Sequence, residues 1–383
     1  MAKSLTKIWL GGLKRLIAIQ KEHARVTSKR MSSRPVRPAS TRPPVKVRKT
    51  AVRDAQHPGT RESRVRPRAA AWASGTWTRS FHSAPAAPGR LVNHLQYGLY
   101  LPAGKPQRGA PLVVMLHGCK QTIDEFAEGT RMNLLADRYG FAVVYPEQSK
   151  HAHAHRCWHW YDVSDNAGGA EARAVVSLVD ALVDEYGFDA ERVYIAGLSA
   201  GAGLASLLVL RYPDRFAAVA LHSGPAFGEA HSGITGMDVM RRGTRQDPVA
   251  LVDRVADIDA YPGMPAIIVQ GEGDRIVAPV NADQLASQFL RLNRLVDASG
   301  ARKAGDMKEE RKAAVVTRDY VRGGRRVVRL CRVQGLGHAW SGGDDAVPFH
   351  SSNGPDASSL LWEFFRYQRR NPAPEAVSKA ASR

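Results

Sequence analysis

Hydrophobic positions along the chain fall into two kinds of stretch that take turns. The first is short and continuous: LVVML at 112–116, FAVVY at 141–145, VYI at 193–195, FAAVAL at 216–221, AIIV at 266–269 and VVRLCRV at 327–333. Runs of this length, rich in Val and Ile and closed by Gly, Pro or polar residues, predict strands buried on both faces. The second kind is longer, with apolar residues at helical spacing. It covers 170–186, stopped by Gly187, and 204–210. A further helix closes at 136–139, and Pro355 opens another that runs to 366. The stretch HLQYGLYL at 94–101 alternates like a strand and leads into Pro102. Strands alternating with helices predict a mostly parallel sheet covered on both faces, with functional groups at the carboxyl ends of its strands.

Before residue 91 the pattern changes. In residues 1–30, Leu5, Trp9, Leu13, Leu16 and Ile17 recur at helical spacing with Lys7, Lys14, Arg15 and Lys21 between them. That is the pattern of a basic amphipathic helix. Lys14 and Arg15 break its apolar run and no small-residue cleavage site follows cleanly, so it does not read as a secretory leader. It is also too short and too charged to span a bilayer. Residues 31–90 are rich in Pro, Arg, Ser and Ala without periodicity and read as a disordered linker. Residues 371–383 read as a disordered tail, which leaves 91–370 as the folded domain.

Charge sharpens this division. The net charge is +19, but 21 of the 55 basic and 3 of the 36 acidic residues lie in 1–90, a net of +18 there against +1 beyond. The body is therefore electrically balanced and has no nucleic-acid signature. The basic helix suits an anionic membrane or a hydrophobic granule surface, and its sparse aromatics disfavour nucleic acid. Three cysteines do not make a disulfide framework, and the odd count leaves at least one thiol unpaired within the chain.

The candidate chemistry sits at strand ends. The run at 193–195 leads into Gly197-Leu198-Ser199-Ala200-Gly201 and then the helical stretch. Strand, glycine turn and helix form the setting of a nucleophile elbow, in which a sharp turn lifts the serine above the sheet. A serine hydroxyl needs a base, and the base needs an orienting carboxylate. After AIIV comes Gln270-Gly271-Glu272-Gly273-Asp274, and after the last strand comes Gly335-Leu336-Gly337-His338. The order Ser199, Asp274, His338 follows, each in a loop after a buried strand. Glu272 is an alternative acid; Asp253, Asp257 and Asp259 precede their strand and so lie at the wrong end of the sheet. Two backbone N–H groups suit an oxyanion: that of Ala200, directly after the serine, and that of Cys119 in His117-Gly118-Cys119 after the early strand. Trp158 and Trp160 suit an apolar lining near the serine. The loop with His151, His153 and His155 lacks a carboxylate or cysteine at ligand spacing, so no metal is expected. Cys119 and Cys157 both follow strands at one edge of the sheet and are placed to pair, with Cys331 left buried in its strand.

The set HGCKQT, FAVVYPEQS, CWHWY, GLSAGAG, GDRIV, GLGHAWSGG and GPDAS resembles the polyhydroxybutyrate depolymerase family of serine esterases from about residue 91 to 369. The resemblance implies an α/β-hydrolase fold, a Ser199–Asp274–His338 triad, an oxyanion hole from Cys119 and Ala200, and no metal or organic cofactor. Gln270 departs from it, since many relatives carry histidine there, as does the charged insert at 296–312. The implied reaction is hydrolysis of polyhydroxyalkanoate or its oligomers through an acyl-enzyme. Feruloyl or acetyl-xylan esters are the alternative within the family. A non-catalytic granule- or membrane-surface protein is the alternative outside it, against which the intact triad order argues. The family includes secreted members, which implies an extracellular enzyme; without a clear leader, a cytoplasmic or granule-associated one stays open.

Overall fold

A computed structural model describes residues 73–86, 93–164 and 167–370 of the protein. The chain divides into two units, Met1–Glu62 and Ser63–Arg383, and all described residues belong to the second. The helix expected in 1–30, most of the linker expected in 31–90 and the tail at 371–383 lie outside the described residues.

The continuous apolar runs form the centre of one sheet. Its strands are β1 (Thr76–Ala84), β2 (Asn93–Leu101), β3 (Leu112–Leu116), β4 (Ala142–Glu147), β5 (Val193–Leu198), β6 (Ala218–His222), β7 (Ala266–Gly271), β8 (Asp306–Lys312), β9 (Val315–Arg322) and β10 (Arg325–Val333). The order across the sheet is β1-β2-β4-β3-β5-β6-β7-β10-β9-β8. Strands β4, β3, β5, β6, β7 and β10 are parallel neighbours. Antiparallel strands finish both edges.

Alternate residues of each central strand serve two cores. Leu112, Val114, Leu116, Ile195, Val219, Leu221 and Ile268 join one cluster. It is covered by helices α3 (Gly168–Tyr186), α4 (Ala200–Arg211) and α7 (Val280–Leu292). Val113, Met115, Tyr194, Ala196, Ile267 and Val269 join the other. That face packs on α1 (Ile123–Thr130), α2 (Met132–Tyr139) and α8 (Ala357–Phe365). Burial on both faces is what a parallel sheet requires, and it explains runs with no polar alternation. Two further helices, α5 (Gly233–Arg242) and α6 (Pro248–Val255), lie between β6 and β7. A small parallel pair, β11 (Trp340–Ser341) and β12 (His350–Ser351), follows β10.

Two sequence boundaries need correction. Residues 76–84 are not linker: β1 pairs with β2 along its whole length, so the folded domain starts before 91. Its TWTRSFHSA sequence is polar because no residue of it is fully buried: Trp77 is half-covered on one face, His82 and Ala84 on the other. Gly98 on β2 makes room for Trp77, whose ring would lie 2.4 Å from an added Cβ. The second correction concerns the charged insert, which holds the exposed edge strand β8 paired with β9. Charged side chains on such an edge guard against pairing with other chains.

Candidate active site

At the carboxyl end of β5 the chain turns into α4 through Ser199, with φ 57° and ψ −119°. A serine held at positive φ costs on the order of 1–3 kcal/mol and persists only where its surroundings enforce it. Here the glycines enforce it. A Cβ on Gly197 would lie 2.3 Å from the Gly201 carbonyl carbon, and one on Gly201 would lie 2.2 Å from the Leu116 carbonyl oxygen. The turn is thus pressed against itself and against the end of β3. The Ser199 N–H donates to the His222 carbonyl at 2.9 Å, and Ser199 is the residue from which α4 starts. The first N–H groups of a helix have no intrahelical acceptor and carry its positive end; the Ala200 N–H is one of them.

The loop after β3 lies beside this turn: a Cβ on Gly118 would come within 3.5 Å of the Ser199 Cβ. His117 shapes the loop. Its Nε2 accepts the Gln148 N–H at 3.0 Å, so Nδ1 carries the proton and donates to the Gly118 carbonyl at 2.7 Å. Burial, aided by Arg156 and opposed by the Gly118 bond, lowers its pKa to about 4 and keeps the ring neutral. No peptide bond among the described residues is cis. In a trans peptide N–H and C=O point opposite ways, so holding the Gly118 carbonyl on His117 turns the Cys119 N–H away from it. No hydrogen bond among the described residues uses that N–H.

Cys119 is also cross-linked. It forms the expected disulfide with Cys157, Cα to Cα 4.3 Å, and Cys331 stays free and buried in β10. The loop that carries Cys157 is tied down by Glu171 in the first turn of α3. One Glu171 oxygen accepts the His159 N–H at 2.8 Å, and the other contacts His159 Nδ1 at 2.6 Å. Gln148 Nε2 donates to the Cys157 carbonyl at 3.2 Å. Within this loop His153 serves backbone order: its Nδ1 accepts the N–H groups of His155 and Cys157 at 3.2 and 3.3 Å.

The two tryptophans are not the apolar wall expected of them. Trp158 is only 1% exposed, and its indole N–H donates to the His117 carbonyl at 3.0 Å. Trp160 packs on Gly203 of α4 and Gly236 of α5, where added Cβ atoms would come within 2.6 and 3.3 Å of its ring. A buried indole needs an acceptor for its N–H. Trp158 finds one on the loop that presents Cys119, so it supports that loop from behind.

Asp274 and His338 meet across the ends of β7 and β10. Their loops touch: a Cβ on Gly271 would lie 2.4 Å from the Leu336 carbonyl, which also accepts the Gly273 N–H at 2.9 Å. Asp274 Oδ1 accepts the N–H groups of Ile276 and Val277, both at 2.9 Å. Its Oδ2 accepts from Gln270 Nε2 at 3.3 Å and from His338 Nδ1 at 2.8 Å. Burial alone would raise the Asp274 pKa; His338 and the two backbone N–H groups outweigh it and hold the carboxyl below its usual range. The alternative acids are engaged elsewhere. Glu272 pairs with Arg332 at 2.7 Å, Asp253 with Arg291 at 2.7 Å, and Asp257 accepts the N–H of Asp259 at 3.1 Å.

Several residues that shape the site have only a faint sequence signal. Gln270, noted as a departure, holds the carboxylate. Gln148 and Glu171 hold the loops, and their one signal is polarity where a buried strand or helix begins or ends.

A mostly parallel sheet, helices on both faces and a serine elbow after its central strand define an α/β-hydrolase. The chain belongs to the family described as esterase PHB depolymerase, which matches residues 95–313. It is 34% identical over 205 residues to poly(3-hydroxyalkanoate) depolymerase C of Paucimonas lemoignei, covering 52% of this chain and 49% of that protein. It is 33% identical over 137 residues to feruloyl esterase B of Thermothelomyces thermophilus, covering 35% and 46%. The chain thus spans about half the length of these curated relatives. The acetyl xylan esterase structure from Aspergillus awamori shares the fold, with a TM-score of 0.58 at 19% identity over 76% of this chain and 99% of that one.

Proposed function

We propose that this chain is a serine esterase that cleaves an ester through an acyl-enzyme on Ser199. The observation that carries the reading is the 2.8 Å contact between Asp274 Oδ2 and His338 Nδ1, in loops after β7 and β10 at the same end of the sheet as the strained serine elbow after β5. With Nδ1 engaged, Nε2 is the His338 nitrogen free to move a proton. His338 takes the Ser199 proton as the hydroxyl attacks the carbonyl carbon, then gives it to the leaving alcohol; a water repeats the sequence and frees the acid. Asp274 fixes the tautomer and stabilises the imidazolium. The N–H groups of Cys119 and Ala200 receive the oxyanion, each worth on the order of 3 kcal/mol.

Polyhydroxyalkanoate oligomers are the substrate class we favour, on the strength of the family and the Paucimonas relative. The feruloyl esterase relative supports aromatic esters as the second reading. Turnover of a soluble hydroxybutyrate trimer against methyl ferulate separates them: at least tenfold higher kcat/KM for the trimer is expected, and the reverse ranking would move the protein to the second class. Sequence periodicity in 1–30 supports attachment to an anionic or hydrophobic surface. The same preparation should sediment with anionic vesicles and be released by salt, and salt-insensitive or absent sedimentation would count against attachment. The Cys119–Cys157 disulfide supports an oxidising, extracellular setting.

The disulfide also carries a prediction. Cys157→Ser frees the loop that presents the Cys119 N–H. The expected fall in kcat is about tenfold, less than the 10²–10³ for losing a donor outright. On a chain-entropy basis, opening a loop with 38-residue separation costs about 4 kcal/mol. Melting and kinetics at equal folded concentration check both. An unchanged kcat would mean that His117 and Trp158 hold the loop unaided.

A further inference from the structure

His222, the last residue of β6, touches both halves of the proposed site. Its carbonyl accepts the Ser199 N–H at 2.9 Å. Its side-chain Nε2 accepts the Ser341 N–H at 3.1 Å, three residues beyond His338. The ring is therefore an acceptor at Nε2 and a donor at Nδ1, which lies 3.2 Å from Ser223 Oγ. It stacks on Trp340, centroids 5.0 Å apart and planes at 23°. Trp340 is itself pinned: its N–H groups reach the Phe349 carbonyl at 2.8 Å and Ser358 Oγ at 3.1 Å.

We infer that His222 is a positioning residue that sets the span between the nucleophile's turn and the loop carrying His338. The inference rests on the reading of Ser199 and His338 given above. One rigid residue holds the elbow through its backbone and the base's loop through its ring. A slip of either hydrogen bond changes the distance over which the proton moves, and small misplacements are costly in a near-attack geometry. The ring must stay neutral, because a proton on Nε2 would face the Ser341 N–H. Burial, with His338 and His350 opposing a further positive charge and Asp274 favouring it, lowers its pKa to about 3. The neutral ring thus persists when His338 becomes an imidazolium.

The test compares His222→Phe, His222→Gln and Ser223→Ala, with Ser199→Ala beside them, in the full chain. Phenylalanine keeps a ring for Trp340 but has no acceptor; glutamine places an oxygen near the Nε2 position. We expect His222→Phe to lower kcat by about 30-fold with KM within about threefold, and His222→Gln to recover most of the loss. Ser223→Ala frees the Nδ1 proton from its acceptor and should lower kcat by about threefold to tenfold. Equal losses in the Phe and Gln variants, or full kcat in His222→Phe, would overturn the inference. Should His222→Phe not fold, full kcat in Ser223→Ala would overturn it in turn. Turnover that survives in Ser199→Ala would instead remove the underlying reading, so the two failures are distinct.

Discussion

Replacing Ser199 with alanine is expected to lower kcat by about 10⁶-fold, the scale seen when a nucleophile that acts with its base as one unit is removed. No other hydroxyl stands on the elbow, and the Cys119 and Ala200 N–H groups are left with no attacking atom. Folding should survive, because among the described residues the hydroxyl makes no hydrogen bond that holds the turn, whereas the backbone bonds of Ser199 to His222 and Gly203 remain. Ser199→Gly carries the argument further. At φ 57° and ψ −119° glycine is at ease where serine is strained. That variant should be as inactive as the alanine variant yet more stable than it by about 1 kcal/mol. Kinetics and thermal melting of both variants check the pair of effects. A glycine variant that melts below the alanine one would show that the elbow stores no strain.

The second large effect is expected for Asp274→Asn, about 10⁴-fold in kcat. The backbone decides which way the amide points. The N–H groups of Ile276 and Val277 both aim at Oδ1, so the amide oxygen is held there and the NH₂ turns to His338. His338 Nδ1 must then accept, its proton moves to Nε2, and the nitrogen that should take the serine proton is blocked. Stability should change with pH in a stated direction. A carboxyl whose native pKa lies below its ordinary 3.8 stabilises the fold above that value and loses the contribution as pH falls through the native pKa. The melting gap between wild type and Asp274→Asn is therefore full at neutral pH and closes in acid. A kcat loss below about tenfold would move the acid elsewhere, and a gap independent of pH would contradict the charged form.

The central strands were legible because burial on both faces writes itself as unbroken apolar runs, as in LVVML and AIIV. The order Ser199, Asp274, His338 was legible because each residue lies in the turn or loop that follows such a run. The edges were not. In β1 most side chains face solvent, so Thr78, Ser80 and Phe81 carry no core pattern, and the strand is fixed by its ladder with β2. In β8 every residue is exposed. Helices α1, α5, α6 and α7 are not among those the apolar spacing predicts, although caps are present on three of them: Thr122 with Glu125, Ser232 with Thr235, and Asp247 before Pro248. Trp158 and His222 show a different limit. Both are buried polar groups whose partners are backbone atoms far along the chain, the His117 carbonyl in one case and the Ser341 N–H in the other. Such pairings leave no local spacing to read.

If Ser199 is the nucleophile we propose, it becomes acylated during turnover. The most direct test is mass spectrometry of the protein after reaction with a fluorophosphonate, followed by peptide mapping. One adduct is expected, on the peptide carrying Ser199, formed far more slowly in His338→Ala and absent in Ser199→Ala. An adduct on another residue, or ester turnover by a protein that leaves Ser199 unlabelled, would contradict the proposal.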